Sequence, residues 1–239
     1  LTSILSLDWL FLSGDETNFT ILDLGKYSIA LHLEPLGMIF LTLLGVLWVC
    51  ALLYTIKFLE INQIKNSDRF LFFMNCCIII GSIIALSANL FTMFVGYEIL
   101  TLCTIPLIAH QGGEKVSKGL FKYLKILMLS GLVLFLPAII IIYAYVGHGN
   151  FTSGGFVAGY FSDTYAIILL LMFIFGIAKA AIYPLHSWLP AAMVASYPVS
   201  ALLHAAVVVK TGLFCIYKVL IYVFGLAYLQ TLFASYNWL

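Results

Sequence analysis

Between Phe70 and Gly113 the only formally charged residue is Glu98. As one helix this stretch would run to about 66 Å at 1.5 Å per residue, about twice the hydrocarbon core of a bilayer. An apolar run of that length must fold back on itself, and Ser87-Ala88-Asn89 supplies the turn. The rest of the chain has the same character: 64% of it is hydrophobic and only 9% charged. A soluble domain carries about 25% charged residues, so this chain cannot cover a globular surface with charge. A formal net charge of +1 also argues against a nucleic-acid partner. The composition describes a polytopic membrane protein.

Charge-free runs mark the spans. Pro35 to Ile56 contains no charge, and Lys57 closes it. Phe70 to Gly113 gives two spans, with Glu98 near mid-height of the second. A fourth runs from about Gly119 to Val146, and a fifth from Thr164 to Tyr183. Pro184, Pro190 and Pro198 follow, and a continuous helix cannot pass through them. Broken backbone at membrane depth is tolerated only inside protein or facing a watery cavity. The sixth span begins at Pro198 and ends near Phe224. The expected fold is therefore all-α, a polytopic bundle of about six spans with one proline-broken helix and no sheet. Residues 1–26, polar and acidic, read as an outward-facing loop, 27–224 as the transmembrane unit, and 225–239 as the start of a further, truncated helix.

Lys and Arg fall on alternate loops. Lys57, Lys65 and Arg69 follow the first span, and Lys115 and Lys118 follow the third. The loops between spans two and three, and four and five, have neither. By the positive-inside rule the lysine-rich loops face the cytoplasm or matrix. The cysteines lie within apolar runs and form no C-x-x-C, so they read as small buried hydrophobes. No His, Cys, Asp or Glu spacing suits a metal, and no phosphate loop or nucleophile elbow is present. Neither a cofactor nor a redox or hydrolytic site is expected.

Ionisable groups deep in a bilayer are expensive, and each is a functional candidate. Four qualify: Glu98 in span three, Lys179 in span five, and His204 and Lys210 in span six. A structural ion pair is the plainer reading of Glu98 and Lys179, and a hydrogen bond to a neighbouring helix that of His204. Lys122, Lys125 and Lys218 lie nearer helix ends, where lysines snorkel to the headgroups. Lys115, Lys118, Lys122 and Lys125 share one helical stripe. Lys179 is expected close to the end of its helix, where the helix dipole favours a protonated lysine and burial opposes it. A mobile carboxylate could switch the balance. His186 sits beside the break in Pro184-Leu-His-Ser-Trp-Leu-Pro190, either as a cap or as a proton carrier.

Two stretches carry a family likeness. One is Lys179-Ala-Ala-Ile-Tyr-Pro-Leu-His-Ser-Trp-Leu-Pro-Ala-Ala-Met, followed by Pro198-Val-Ser-Ala-Leu-Leu-His204-Ala-Ala-Val-Val-Val-Lys210. The other is Tyr97-Glu98-Ile-Leu-Thr-Leu, then Pro106-Leu-Ile-Ala-His110 and Lys122-Tyr123. Together they resemble the antiporter-like membrane subunits of respiratory complex I, Mrp-type cation/proton antiporters and membrane-bound hydrogenases, most of all the D-type Mrp subunits. Leu33-Glu34-Pro35-Leu36-Gly37 resembles the opening of the family's third helix.

The resemblance implies inverted repeats with a broken helix in each, of which this chain, as a fragment, matches about helices three to eight. It implies proton translocation through Glu98 as modulator, Lys179 as central carrier, and His204 and Lys210 as relay, with Lys122, His186 and Lys218 as accessory groups. It also implies a multi-pass protein of the bacterial inner membrane, or alternatively of the mitochondrial one. The partners implied are the lipid bilayer and other membrane subunits, with protons and Na+ or K+ as the ions handled. Two alternatives stay open: a proton-pumping subunit of NADH:quinone oxidoreductase (complex I), and a structural subunit that moves no ions.

Overall fold

A computed structural model describes residues 18–235 of the chain. The acidic segment 1–17, read as a loop, and the last residues, 236–239, lie outside the described residues. Five helical segments are long and apolar enough to cross a membrane: Pro35–Ile61, Ser67–Ala85, Leu90–Gln111, Glu114–Tyr145 and Tyr197–Phe224. A shorter apolar helix, Asp163–Gly176, stands between the last two. Helix α1 (Pro35–Ile61) starts on a proline, whose missing N–H is no loss in a first turn. Helix α2 (Ser67–Ala85) turns at Leu86–Asn89 into α3 (Leu90–Ile108), and the Asn89 side chain caps α3 by accepting the Thr92 N–H at 2.8 Å. The expected turn at Ser87-Ala88-Asn89 is therefore in place.

The fourth crossing is α4 (Glu114–Ser130), a π turn at Gly131–Phe135, and α5 (Leu136–Tyr145). Pro137 has no N–H to return to the preceding turn, which favours the wider register before it. The sixth crossing is α8 (Tyr197–Ala201), a π turn at Leu202–Ala206, α9 (Val208–Lys218) and a second π turn at Val219–Phe224. Helix α10 (Leu226–Ser235) follows. The connections gather at two ends. At one, Phe70 meets His110 edge-on and Phe58 meets Tyr197. At the other, Ser87 bridges to Leu31 and Asn89 to Asn150. Lys65, Arg69, Lys115 and Lys118 all belong to the first end.

Two expectations need correction. Part of the segment read as a loop, residues 18–26, is instead the start of a β-hairpin, so the bundle is not free of sheet. Strand β1 (Asn18–Leu24) pairs antiparallel with β2 (Tyr27–His32) around Gly25, whose φ is +78°. The hairpin is pinned to the helix ends by His32 N–H to the Leu86 carbonyl at 2.7 Å and Asn89 Nδ2 to the Ser28 carbonyl at 2.9 Å. Asp23-Leu-Gly-Lys between two β-prone runs was its sequence signal.

The second correction is where the fifth span breaks. Helix α6 (Asp163–Gly176) stops well short of Tyr183, so Lys179 lies beyond the α-helix rather than near its last turn. Fourteen residues rise only about 21 Å, so irregular backbone completes the crossing. It runs through a 3-10 turn at Ala178–Ala180, Ala181 at φ 56°, a 3-10 turn at Leu185–Ser187, and α7 (Trp188–Ala192). A Cβ on Gly176 would strike the Phe135 backbone, so the glycine lets the helix end press against the neighbouring π turn.

Candidate proton-transfer site

The broken backbone carries Lys179, which is 0% exposed. Interrupted backbone leaves polar groups that must find partners away from water. Here side chains supply two of them. Tyr97 Oη accepts the Lys179 N–H at 3.1 Å, and Trp188 Nε1 donates to the Ala178 carbonyl at 2.8 Å. Both aromatic residues are fully buried. On the far side, Gly212 of α9 faces the turn. A Cβ there would collide with the backbone of Lys179 and Ala180, so this glycine sets how closely α9 can approach.

The lysine side chain reaches α3. Its Nζ donates to the Tyr97 carbonyl at 2.7 Å and to Thr101 Oγ1 at 2.6 Å, and lies 3.2 Å from the centroid of the Tyr97 ring. All these partners are neutral. Lys179 and Glu98 form no ion pair, so the plainer reading of the two as a structural salt bridge does not describe them. Helix geometry explains it. Tyr97 and Thr101, four residues apart, share the face that receives the lysine, whereas Glu98 is turned about 100° away.

Glu98 instead faces the π turn of the fourth crossing. A Cβ on Gly131 would overlap its Oε1. Both carboxylate oxygens are buried without a hydrogen-bond partner among the described residues. The turn thus combines a widened helix register with a bare Cα at the point where the carboxylate rests.

His204 lies within the π turn Leu202–Ala206, half-buried, and its Nε2 is enclosed without a partner among the described residues. Lys210 is exposed on the outside of the bundle and makes no ion pair among the described residues. The structure therefore brings Glu98 and Lys179 onto adjacent faces of α3 and leaves Lys210 apart. Among the accessory residues, His186 is exposed and stacks on Tyr183 with centroids 5.6 Å apart, and Lys122 is exposed on α4.

Lys218 does not snorkel. It is 0% exposed, and its Nζ lies 2.6 Å from Glu34 Oε1, with Glu34 5% exposed. Nζ also donates to the Ser87 carbonyl, and the Phe151 ring centroid is 4.6 Å away. Glu34 was not among the candidate residues. Its signal was an acid directly before the proline that opens a charge-free run, with a lysine late in the sixth span as the matching cation. Gly212, Cys215 and Lys218 follow one stripe of α9, so Lys218 sits about 9 Å along the helix axis from the Lys179 contact. Among the described residues no three His, Cys, Asp or Glu side chains are grouped to hold a metal ion.

The family model for the NADH:quinone oxidoreductase/Mrp antiporter transmembrane region matches residues 87–236. The putative antiporter subunit mnhA2 of Staphylococcus haemolyticus (strain JCSC1435) is 29% identical over 191 residues, covering 78% of this chain and 24% of the relative. The Staphylococcus aureus protein of the same description is 29% identical over 194 residues, with 80% and 24% covered. The chain thus spans about a quarter of the length of these curated relatives. In fold it is similar to a chain of the Mrp complex from Dietzia sp. DQ12-45-1b, with a TM-score of 0.69, 20% identity, and 87% of this chain and 23% of that one covered. It is also similar to a chain of the membrane-bound sulfane sulfur reductase, an archaeal respiratory membrane complex, with a TM-score of 0.70, 21% identity, and 89% and 34% covered. With the broken helix, the buried lysine and the glutamate of α3 in place, and with the family model matching most of the chain, the protein belongs to the NADH:quinone oxidoreductase/Mrp antiporter transmembrane family.

Proposed function

We propose that this chain is the proton-carrying part of a cation/proton antiporter subunit, with Lys179 as the central carrier. The observation that supports this most is the setting of Lys179: wholly buried, on interrupted backbone, and held by neutral acceptors alone. A lysine locked to a carboxylate keeps its charge. One held by a carbonyl, a hydroxyl and a ring has a far smaller difference in free energy between its charged and neutral forms.

Glu98, on the next face of α3, acts as the modulator. Its carboxylate is enclosed but unbonded among the described residues, so little holds it in one place. Movement of that carboxylate toward or away from Lys179 biases the lysine toward holding or releasing its proton. His204, with its enclosed Nε2, takes the next position. Lys210 relays at the bundle surface, against whatever membrane subunit packs there. The likeness to antiporter subunits supports a multi-subunit assembly in the bacterial inner membrane, with Na+ or K+ as the exchanged ion and the lysine-rich loops on the cytoplasmic side.

The test is proton transport by the assembled complex in proteoliposomes, read with a pH-sensitive dye. Lys179→Ala is expected to abolish transport while subunit assembly, measured separately, is retained. Transport at the wild-type rate in Lys179→Ala would overturn the reading and leave the chain a scaffold.

A further inference from the structure

A groove of about 440 Å³ runs along the outside of α4, lined by Lys122, Lys125, Ile126, Leu129, Val133 and Leu185. Its charge and its depth both constrain what can fill it. The crossing Glu114–Tyr145 has 32 residues and is about 48 Å long, well beyond a hydrocarbon core of about 30 Å. All its charges lie in its first part: Glu114, Lys115, Lys118, Lys122 and Lys125. From Ile126 to Tyr145 there is none, and that stretch alone spans the core. Lys122 and Lys125 therefore stand at the level of the phospholipid phosphates, and the groove descends from them into the hydrocarbon.

The two lysines are free to bind. Lys118 is taken by Glu114 at 2.6 Å, and Glu60, another acid at this end, is taken by Lys57 at 2.9 Å. Lys122 and Lys125 have neither ion pair nor hydrogen bond among the described residues. Below them the walls are apolar. The one hydroxyl there, Ser130, already donates to the Leu127 carbonyl at 3.0 Å. An occupant must then be anionic at the headgroup level and hydrocarbon beneath it.

We infer that this groove is a binding site for one anionic phospholipid, its phosphate on Lys122 and Lys125 and an acyl chain along Ile126, Leu129 and Val133. The inference does not depend on proton transport. Two lysines at the surface favour an anionic over a zwitterionic headgroup by roughly 30-fold at low salt.

The experiment titrates the full chain, purified in mild detergent, with phosphatidylglycerol or phosphatidylcholine and counts bound lipids by native mass spectrometry. The first phosphatidylglycerol is expected to bind at least tenfold more tightly than phosphatidylcholine. Lys122→Gln with Lys125→Gln is expected to erase that preference, and Lys57→Gln with Lys65→Gln to leave it. Helical circular dichroism checks that each variant folds. A second arm uses Leu129→Trp in the otherwise native chain, whose fluorescence phosphatidylglycerol with brominated chains is expected to quench. Equal affinity for the two lipids, a preference that survives loss of both lysines, or an unquenched Trp at 129 would each overturn the site.

Discussion

Lys218 Nζ lies 2.6 Å from Glu34 Oε1, and the two groups are closed off together inside the bundle. The pair joins the start of α1 to the end of α9, and the Ser87 carbonyl between α2 and α3 completes the junction. The ends of four crossings thus meet at one charge pair, at the hairpin end of the molecule. Such a pair adds little over hydrocarbon of the same shape, but breaking it strands a charge without water.

That asymmetry gives the first prediction. Lys218→Met leaves the Glu34 carboxylate buried without its cation, and Glu34→Gln leaves the Lys218 ammonium without its anion. Each is expected to cost about 3–5 kcal/mol. The double variant is expected to recover most of the loss, because neither charge then remains. Thermal unfolding in detergent, run as a double-mutant cycle, measures the coupling.

The second concerns the neutral cradle of Lys179. Thr101→Val removes the hydroxyl that Nζ meets at 2.6 Å and keeps a side chain of similar volume. The Tyr97 carbonyl at 2.7 Å still holds the ammonium. Proton transport is expected to slow, whereas Lys179→Ala stops it. Rates in proteoliposomes of the assembled complex distinguish the two variants.

The third turns on Gly131. A methyl group there would occupy the place of Glu98 Oε1. Gly131→Ala is expected to displace the carboxylate and to reproduce most of the transport defect of Glu98→Ala with no charge removed. Leu132→Ala, a neighbouring change on the exposed face, is expected to keep the wild-type rate. Equal transport in all three would mean that the position of Glu98 does not matter.

The spans and the family could be read from charge-free runs and prolines, because membrane depth forbids charge and proline forbids helix. Glu98, Lys179 and His204 stood out for the same reason. What sequence could not supply was direction around a helix axis. Glu98 and Lys179 are both deep, yet the lysine bonds to Tyr97 and Thr101 while the glutamate turns to Gly131. Lys210 is equally deep in sequence and points outward. Lys218 looked like a lysine near a helix end, and its burial depends on Glu34, which is remote in sequence. The hairpin was missed because the acidic character of residues 1–26 outweighed a short alternating pattern on either side of Gly25.

The last prediction tests what keeps the broken helix in shape. Trp188 Nε1 donates to the Ala178 carbonyl at 2.8 Å, one residue before the lysine. Trp188→Phe keeps an aromatic ring in the pocket, where Tyr123 packs edge-on at 5.6 Å, and removes the donor alone. A buried carbonyl left without a partner costs about 1–3 kcal/mol. The 3-10 turn at Ala178–Ala180 is expected to open more often as a result. Hydrogen exchange at the Lys179 and Ala180 amides should then accelerate by roughly 5- to 150-fold, with exchange in α1 and α2 unchanged. Proton transport should fall at the same time, because Nζ keeps its two acceptors only while the turn holds the lysine against α3. Unchanged exchange at those amides would show that the turn is held by packing, with Gly212 and Gly176 as the next positions to change.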